Sequence, residues 1–94
     1  MSDAPQRILI VDDDRIIVES LIEFLRLEGY EADGAHSYAE AMTALERRSY
    51  AVVISDINMP TTNGFELLRV VKQRYPETVV VIITGYGTIE SAVE

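Results

Sequence analysis

The 94-residue chain contains no cysteine, so neither a disulfide framework nor a thiolate metal site is open to it. Basic residues are scarce: eight against sixteen acids give a formal net charge of −8. That balance disfavours nucleic-acid phosphates and anionic membrane surfaces unless a local basic patch intervenes. None is visible. Arg47 and Arg48 are the only adjacent basic pair and read as an exposed helix end, so this segment is expected to make no direct contact with nucleic acid. No apolar stretch approaches the ~20 residues needed to span a bilayer, and the polar start MSDAPQ does not resemble a targeting segment. A cytoplasmic protein without membrane association is the expectation. Repeats, low-complexity tracts and linkers rich in Pro, Gly or Ser are lacking as well, and residues 1–94 read as one domain. At this length folding buries about 60–65% of the unfolded surface, which leaves a small core.

What is present is an alternation of two periodicities. Arg7 to Val11 is a short β-branched run that stops at acids, and Ile16, Ile17, Leu21, Phe24 and Leu25 then recur at helical spacing until Gly29. Tyr30 to Ala35 is a marginal strand. Ser37 with Glu40 three residues on is a capping-box signature, followed by Ala41, Met42, Ala44 and Leu45 on one helical face. Ala51 to Ser55 is a continuous apolar run suited to a strand buried on both faces. Pro60 to Gly64 is a turn, and Phe65, Leu67, Leu68, Val70 and Val71 carry a helix to Tyr75-Pro76. Thr78 to Ile83 is the most emphatic strand, and a last helix is expected from Thr88 to Glu94. Such alternation predicts an α/β fold with a parallel sheet and right-handed crossovers. In that architecture ligands bind at the carboxyl ends of the strands, where Asp12 and Asp13, Asp56 and Thr84 all fall.

Carboxylates gathered on one rim repel, and a cation is the natural compensation. Oxygen donors without His or Cys select a hard ion, Mg2+ in particular. Beside such an ion Asp56 can stay ionised and attack phosphorus, forming an aspartyl phosphate. Thr84 is placed to bring a hydroxyl to that group, and Gly85 leaves room for it. Asp14, just before a helix, reads as a cap. The lone His36 reads as solvated, and Tyr86 as a gate to the pocket.

The segments ILIVDDD, VVISDINMPTTNG and VVVIITGYGTIESAVE together resemble the receiver domain of bacterial two-component response regulators. The resemblance implies a flavodoxin-like doubly wound parallel sheet of order 2-1-3-4, with the family's fifth strand and last helix missing and the fourth helix only begun. It makes Asp56 the phosphoacceptor, Asp13 a direct Mg2+ ligand, Asp12 a ligand mainly through water, Asn58 a ligand by its backbone carbonyl, and Thr84 the switch hydroxyl. A sensor histidine kinase is the implied donor, and an output domain beyond the C-terminus the implied effector. The chain is then a signalling domain that takes part in its own phosphorylation and dephosphorylation, not an enzyme in the ordinary sense. Receivers attached to ATPase-driven transcriptional activators are the most similar in TGYGTIESAVE. The family's strand-ending lysine has no counterpart, since the only lysine, Lys72, falls inside a helix.

Two other readings are open. One is a receiver-like binding module that is phosphorylation-silent, or a fragment that self-associates, as a homodimer or by domain exchange, through the apolar edge at Val79 to Ile83. The other is a fragment of a haloacid-dehalogenase-like phosphatase, which Asp12, Asp14 and Thr84 satisfy but which leaves Asp56 without a role. A helix of seven residues is too short to stand alone, so the chain is expected to be a fragment.

Overall fold

A computed structural model describes residues 6–56, 64–83 and 92–93. The elements run β1 (Arg7–Val11), α1 (Arg15–Leu27), β2 (Glu31–Ala35), α2 (Tyr38–Arg47), β3 (Val52–Asp56), α3 (Gly64–Arg74), β4 (Val79–Ile83) and β5 (Ala92–Val93). They build one sheet of order β2-β1-β3-β4-β5, in which β1 to β4 are mutually parallel. The expected order 2-1-3-4 therefore holds. β5 does not follow the expectation of a fourth helix begun at Thr88. Ala92 and Val93 pair antiparallel with β4, Val81 opposite Val93 and Ile82 opposite Ala92. The outer edge of β4 offers unpaired backbone groups to an extended segment. Thr88 itself lies outside the described residues, as does the expected turn before Gly64.

Strand alternation divides the apolar residues between two cores. Leu9, Val11, Val53, Val80 and Ile82 face α2 and α3, where Ala41, Leu45, Leu67 and Val71 are buried with them. Ile8, Ile10 and Ala32 face α1 and meet Val18. A side chain such as Leu67, fully buried, contributes about 1.5–3 kcal/mol by leaving water. Of the α1 residues the sequence pattern singles out, Leu21 and Leu25 pack against the core on the α1 side, but Ile16 is 76% and Phe24 58% exposed, and Val18 is the fully buried position.

The helix ends follow their local chemistry. Asp14 caps α1, its Oδ1 accepting from the backbone N–H of Ile16 at 2.9 Å and of Ile17 at 3.4 Å. Gly29, at φ 98°, closes the same helix, with its N–H donating to Arg26 O and that of Tyr30 to Leu25 O, both at 3.0 Å. That pair of bonds needs a left-handed residue, which glycine adopts without a Cβ penalty. Ser37 caps α2 by accepting from Glu40 N–H. The returning Glu40 carboxylate accepts from His36 N–H at 2.8 Å, one residue earlier than the usual capping box.

The marginal strand β2 is held by side chains as well as by its ladder. Arg7 donates to Asp33 at 2.9 Å and to Glu31 at 3.2 Å, and Tyr50 Oη donates to Asp33 at 2.7 Å. Partial burial works to raise the Asp33 pKa, but the hydrogen bonds from Tyr50 and Arg7 outweigh it, and the carboxyl lies below its ordinary value. Burial first, and the Asp33 carboxylate second, push the Tyr50 hydroxyl up to about 12. Thr78, read as the first residue of a strand, instead sits buried before β4 and donates from Oγ1 to Tyr50 O at 2.8 Å.

Two predictions follow from this packing. A Cβ on Gly34 would meet Val18 Cγ1 at 2.4 Å and Ile22 Cδ1 at 3.0 Å. Gly34→Ala is expected to cost about 1–3 kcal/mol by overpacking, read from the urea midpoint, and Val18→Ala in the same chain to recover part of the loss. Asp33→Asn is expected to lower stability at pH 7 by about 1 kcal/mol. Because the folded pKa is depressed, the contribution is present above the unfolded value near 3.8 and is lost as the pH falls through the folded one. The wild-type and variant denaturation curves should therefore converge in acid.

Candidate metal and phosphoacceptor site

Four parallel strands end on one rim, and the register decides which side chains meet there. Val11 stands opposite Ser55 in the β1–β3 pairing, so Asp12, the next residue, comes beside Asp56. Both share the strand face that carries Ile10 and Ile54. Asp12 is buried, with 4% of its surface exposed, Asp56 is half-buried and Asp13 exposed. One carboxylate oxygen from each of the three lies within 4.8 Å of the others. Of the sequence-predicted site residues, Asp12, Asp13 and Asp56 are thus brought together; Asn58 and Thr84, and with them Gly85 and Tyr86, lie outside the described residues.

Two backbone bonds fix the buried acid. Asp12 N–H donates to Ala35 O at 3.1 Å, and Asp14 N–H donates to Asp12 Oδ1 at 2.9 Å. The sequence reading missed the second bond, though an Asp followed two residues later by a helix cap is the signal of an Asx-type turn. Burial is the main influence that raises the Asp12 pKa; the Asp14 N–H opposes it, and the Asp56 and Asp13 carboxylates add to the rise. A buried carboxylate with two like charges beside it favours any cation that can join them. The donors are all carboxylate oxygens, the set that suits a hard divalent ion such as Mg2+. The site fits that ion by chemistry, with part of Asp12's coordination taken by Asp14.

His36 departs from expectation, whereas Asp14 and Lys72 lie where the sequence reading put them. His36 is more sheltered than a solvated loop residue: its Nδ1 lies 3.3 Å from Glu40 Oε1, and its Nε2 is buried without a hydrogen-bond partner among the described residues. Asp14 holds the helix start and is not part of the cluster. Lys72 lies in the last turn of α3, which leads into the amino end of β4 and so away from the acids. A cavity of about 820 Å3 lies at the amino rim, lined in part by Arg7, Arg48, Tyr50, Tyr75 and Thr78. Size does not make it the site, since Arg7 is already occupied by two carboxylates. No helix among the described residues is long and apolar enough to cross a membrane.

A parallel sheet of order 2-1-3-4 with three acids gathered at the carboxyl ends of its first and third strands defines the flavodoxin-like class of α/β domains. Comparison narrows the class. Residues 8–94 match the family described as the response regulator receiver domain, and the chain belongs to that family. It is similar to the response regulator protein FleR of Pseudomonas aeruginosa, 40% identical over 88 residues, which are 94% of this chain and 19% of that protein. The transcriptional regulatory protein GlrR of Escherichia coli K12 is 37% identical over 93 residues, 99% of this chain and 21% of its own length. The chain thus spans about a fifth of these relatives. Among solved structures, TrrA of Thermotoga maritima in complex with Mg2+–BeF is 36% identical with a TM-score of 0.80, covering 87% of this chain and 71% of that one. The CheY-like receiver domain of Methanospirillum hungatei is 34% identical with a TM-score of 0.84, covering 90% and 68%.

The repulsion within the cluster has a measurable consequence. Without divalent cation at neutral pH, Asp12→Asn is expected to raise Tm by roughly 4–8 °C, the shift that about 1 kcal/mol produces in a domain of this size. Added Mg2+ should raise the Tm of the wild type and leave that of the variant nearly unchanged, as thermal melts with and without the ion will register.

Proposed function

We propose that this domain accepts a phosphoryl group on Asp56 from a phosphohistidine of a sensor kinase, with Mg2+ held by Asp12, Asp13, Asp56 and the Asn58 carbonyl. The observation that carries the reading is the meeting of three carboxylates from two strands within 4.8 Å. An Asp56 oxygen forms the new bond to phosphorus as the P–N bond to the donor imidazole breaks; the imidazole keeps the electron pair and takes up a proton. The bound ion offsets negative charge on the transferring oxygens. Asp12, anchored by Asp14 and by the β2 backbone, orients the acidic loop against Asp56, and the Thr84 hydroxyl contacts the phosphoryl group once it is transferred. Attack by water on phosphorus later returns the carboxylate and releases inorganic phosphate.

The relatives suggest the output. GlrR and the C4-dicarboxylate transport regulator DctD of Rhizobium meliloti are named transcriptional regulatory proteins, and we assign this receiver to the control of such an output domain in the cytoplasm. The phosphatase-like alternative uses Asp12 with Asp14, and the capping bonds to Ile16 and Ile17 remove Asp14 from that role.

Incubation with Mg2+ and acetyl phosphate tests the proposal. The expected product is one hydroxylamine-sensitive phosphoryl adduct, mapped by mass spectrometry to Asp56, absent in Asp56→Asn and absent when Mg2+ is chelated. Asp13→Asn should weaken Mg2+ binding by roughly tenfold or more, the effect of about 1.4 kcal/mol. A label on Asp12 supports the phosphatase-like reading, and no label despite normal Mg2+ binding supports a silent module.

A further inference from the structure

Among the described residues three polar side chains are buried: Asp12, Thr78 and Ser55. The first belongs to the acid cluster, and the second holds the Tyr50 carbonyl at the amino rim. Ser55 has no such place yet. It stands in a cross-strand row with Ala35, Val11 and Ile82, all three of which belong to the core beneath α2 and α3, and it has no exposed surface of its own. A hydroxyl in such a row costs stability unless it is hydrogen-bonded. Alanine fills the same row in β2 without that cost, so the core does not require serine. The hydroxyl engages its neighbour: Ser55 Oγ donates to the backbone carbonyl of Asp56 at 3.2 Å. That is long for an O–H···O bond, as bonds that shape a site often are before its ligand arrives.

We propose that Ser55 is a positioning residue of the acid site, acting through the peptide group that follows Asp56. Because that group is planar, holding its carbonyl fixes the ψ angle of Asp56. The Asp56 carboxylate precedes this peptide group along the chain, and the Asn58 carbonyl comes two residues after it. Both belong to the ligand set proposed above, on which this inference rests. With the carbonyl tied from the opposite face of the sheet, the two ligands keep one relative orientation although Ser55 touches neither. Groups that orient metal ligands without binding the metal tune its affinity, and the bond to Asp56 gives the buried hydroxyl that task.

Three substitutions test this. Ser55→Ala removes a single oxygen, while Ser55→Thr and Ser55→Val share a shape and differ in the hydroxyl. In the metal-free protein, the NMR shift of the Asp56 carbonyl carbon is expected to move upfield in Ser55→Ala and Ser55→Val and to stay near the wild-type value in Ser55→Thr. Titration should show Mg2+ binding weakened about tenfold in the first two, the lower end of what replacing a ligand-orienting group costs. Acetyl phosphate should also label Asp56 more slowly in them. Thr78→Val, which removes a buried hydroxyl from the opposite rim, should lower Tm and leave Mg2+ affinity unchanged; a merely structural Ser55 would behave in the same way. Circular dichroism shows whether each variant folds, and if the β-branched pair does not, Ser55→Ala against the wild type decides. Wild-type Mg2+ affinity in Ser55→Ala, or equal losses in Ser55→Thr and Ser55→Val, overturns the inference. Failure of the phosphoacceptor reading looks different: the wild type itself then takes no label, while the Mg2+ titrations still decide the role of Ser55.

Discussion

The register between β1 and β3 is the constraint on which the site depends. With Val11 opposite Ser55, the residues that follow and end these strands, Asp12 and Asp56, emerge side by side on the same face. A slip of one residue in either strand turns one of the two acids to the opposite face and separates the carboxylates. The register is held far from the site. Leu9 and Val53 belong to one core and Ile8 and Val52 to the other, so a slip would exchange two apolar sets at once. At the amino rim, Ala51 N–H donates to Arg7 O at 2.8 Å and Val79 N–H to Ala51 O at 2.9 Å, which sets the starting points of three neighbouring strands.

That division of labour has an electrostatic side. The amino rim gathers opposite charges: Arg7 with Glu31 and Asp33, the last also held by Tyr50. The carboxyl rim gathers like ones, and Asp12 is driven up by its burial there and by the acids beside it. Local stability alone does not select three carboxylates at the end of a small core. Sites that break a local rule in this way are where function is expected to reside, and a cation turns the same charges from a cost into ligands.

Much of this was legible from residue order. The apolar runs, the acids that end them and the stop at Gly29 depend on local chemistry alone, and β1, β3 and β4 fall within a residue of their sequence reading. The Asp pair and Asp56 could be assigned to one rim because right-handed crossovers leave little freedom in a parallel sheet. What escaped the reading depends on tertiary partners. Ile16 and Phe24 share helical spacing with Leu21, yet only the side of α1 that meets β2 is chosen for the core. The Glu40 carboxylate reaches His36 N–H because the chain turns sharply after Ala35. The pairing of Ala92 with Ile82 is decided by an available strand edge that lies ten residues earlier, and no helix propensity in SAVE reveals it.

The small residues of β2 connect these features. Ala32 and Gly34 stand beside Ile8 and Ile10 in the sheet, and the absence of a Cβ at Gly34 lets Val18 and Ile22 approach the backbone closely. Larger residues there would hold α1 away from the outer strand, over β1 or beyond it. Its approach to β2 fixes the direction in which the chain must leave β1. The three-residue connection Asp12 to Asp14 is short enough that this direction determines where its carboxylates point. The position of a glycine on an edge strand thereby bears on the geometry of an acid cluster to which it contributes no atom.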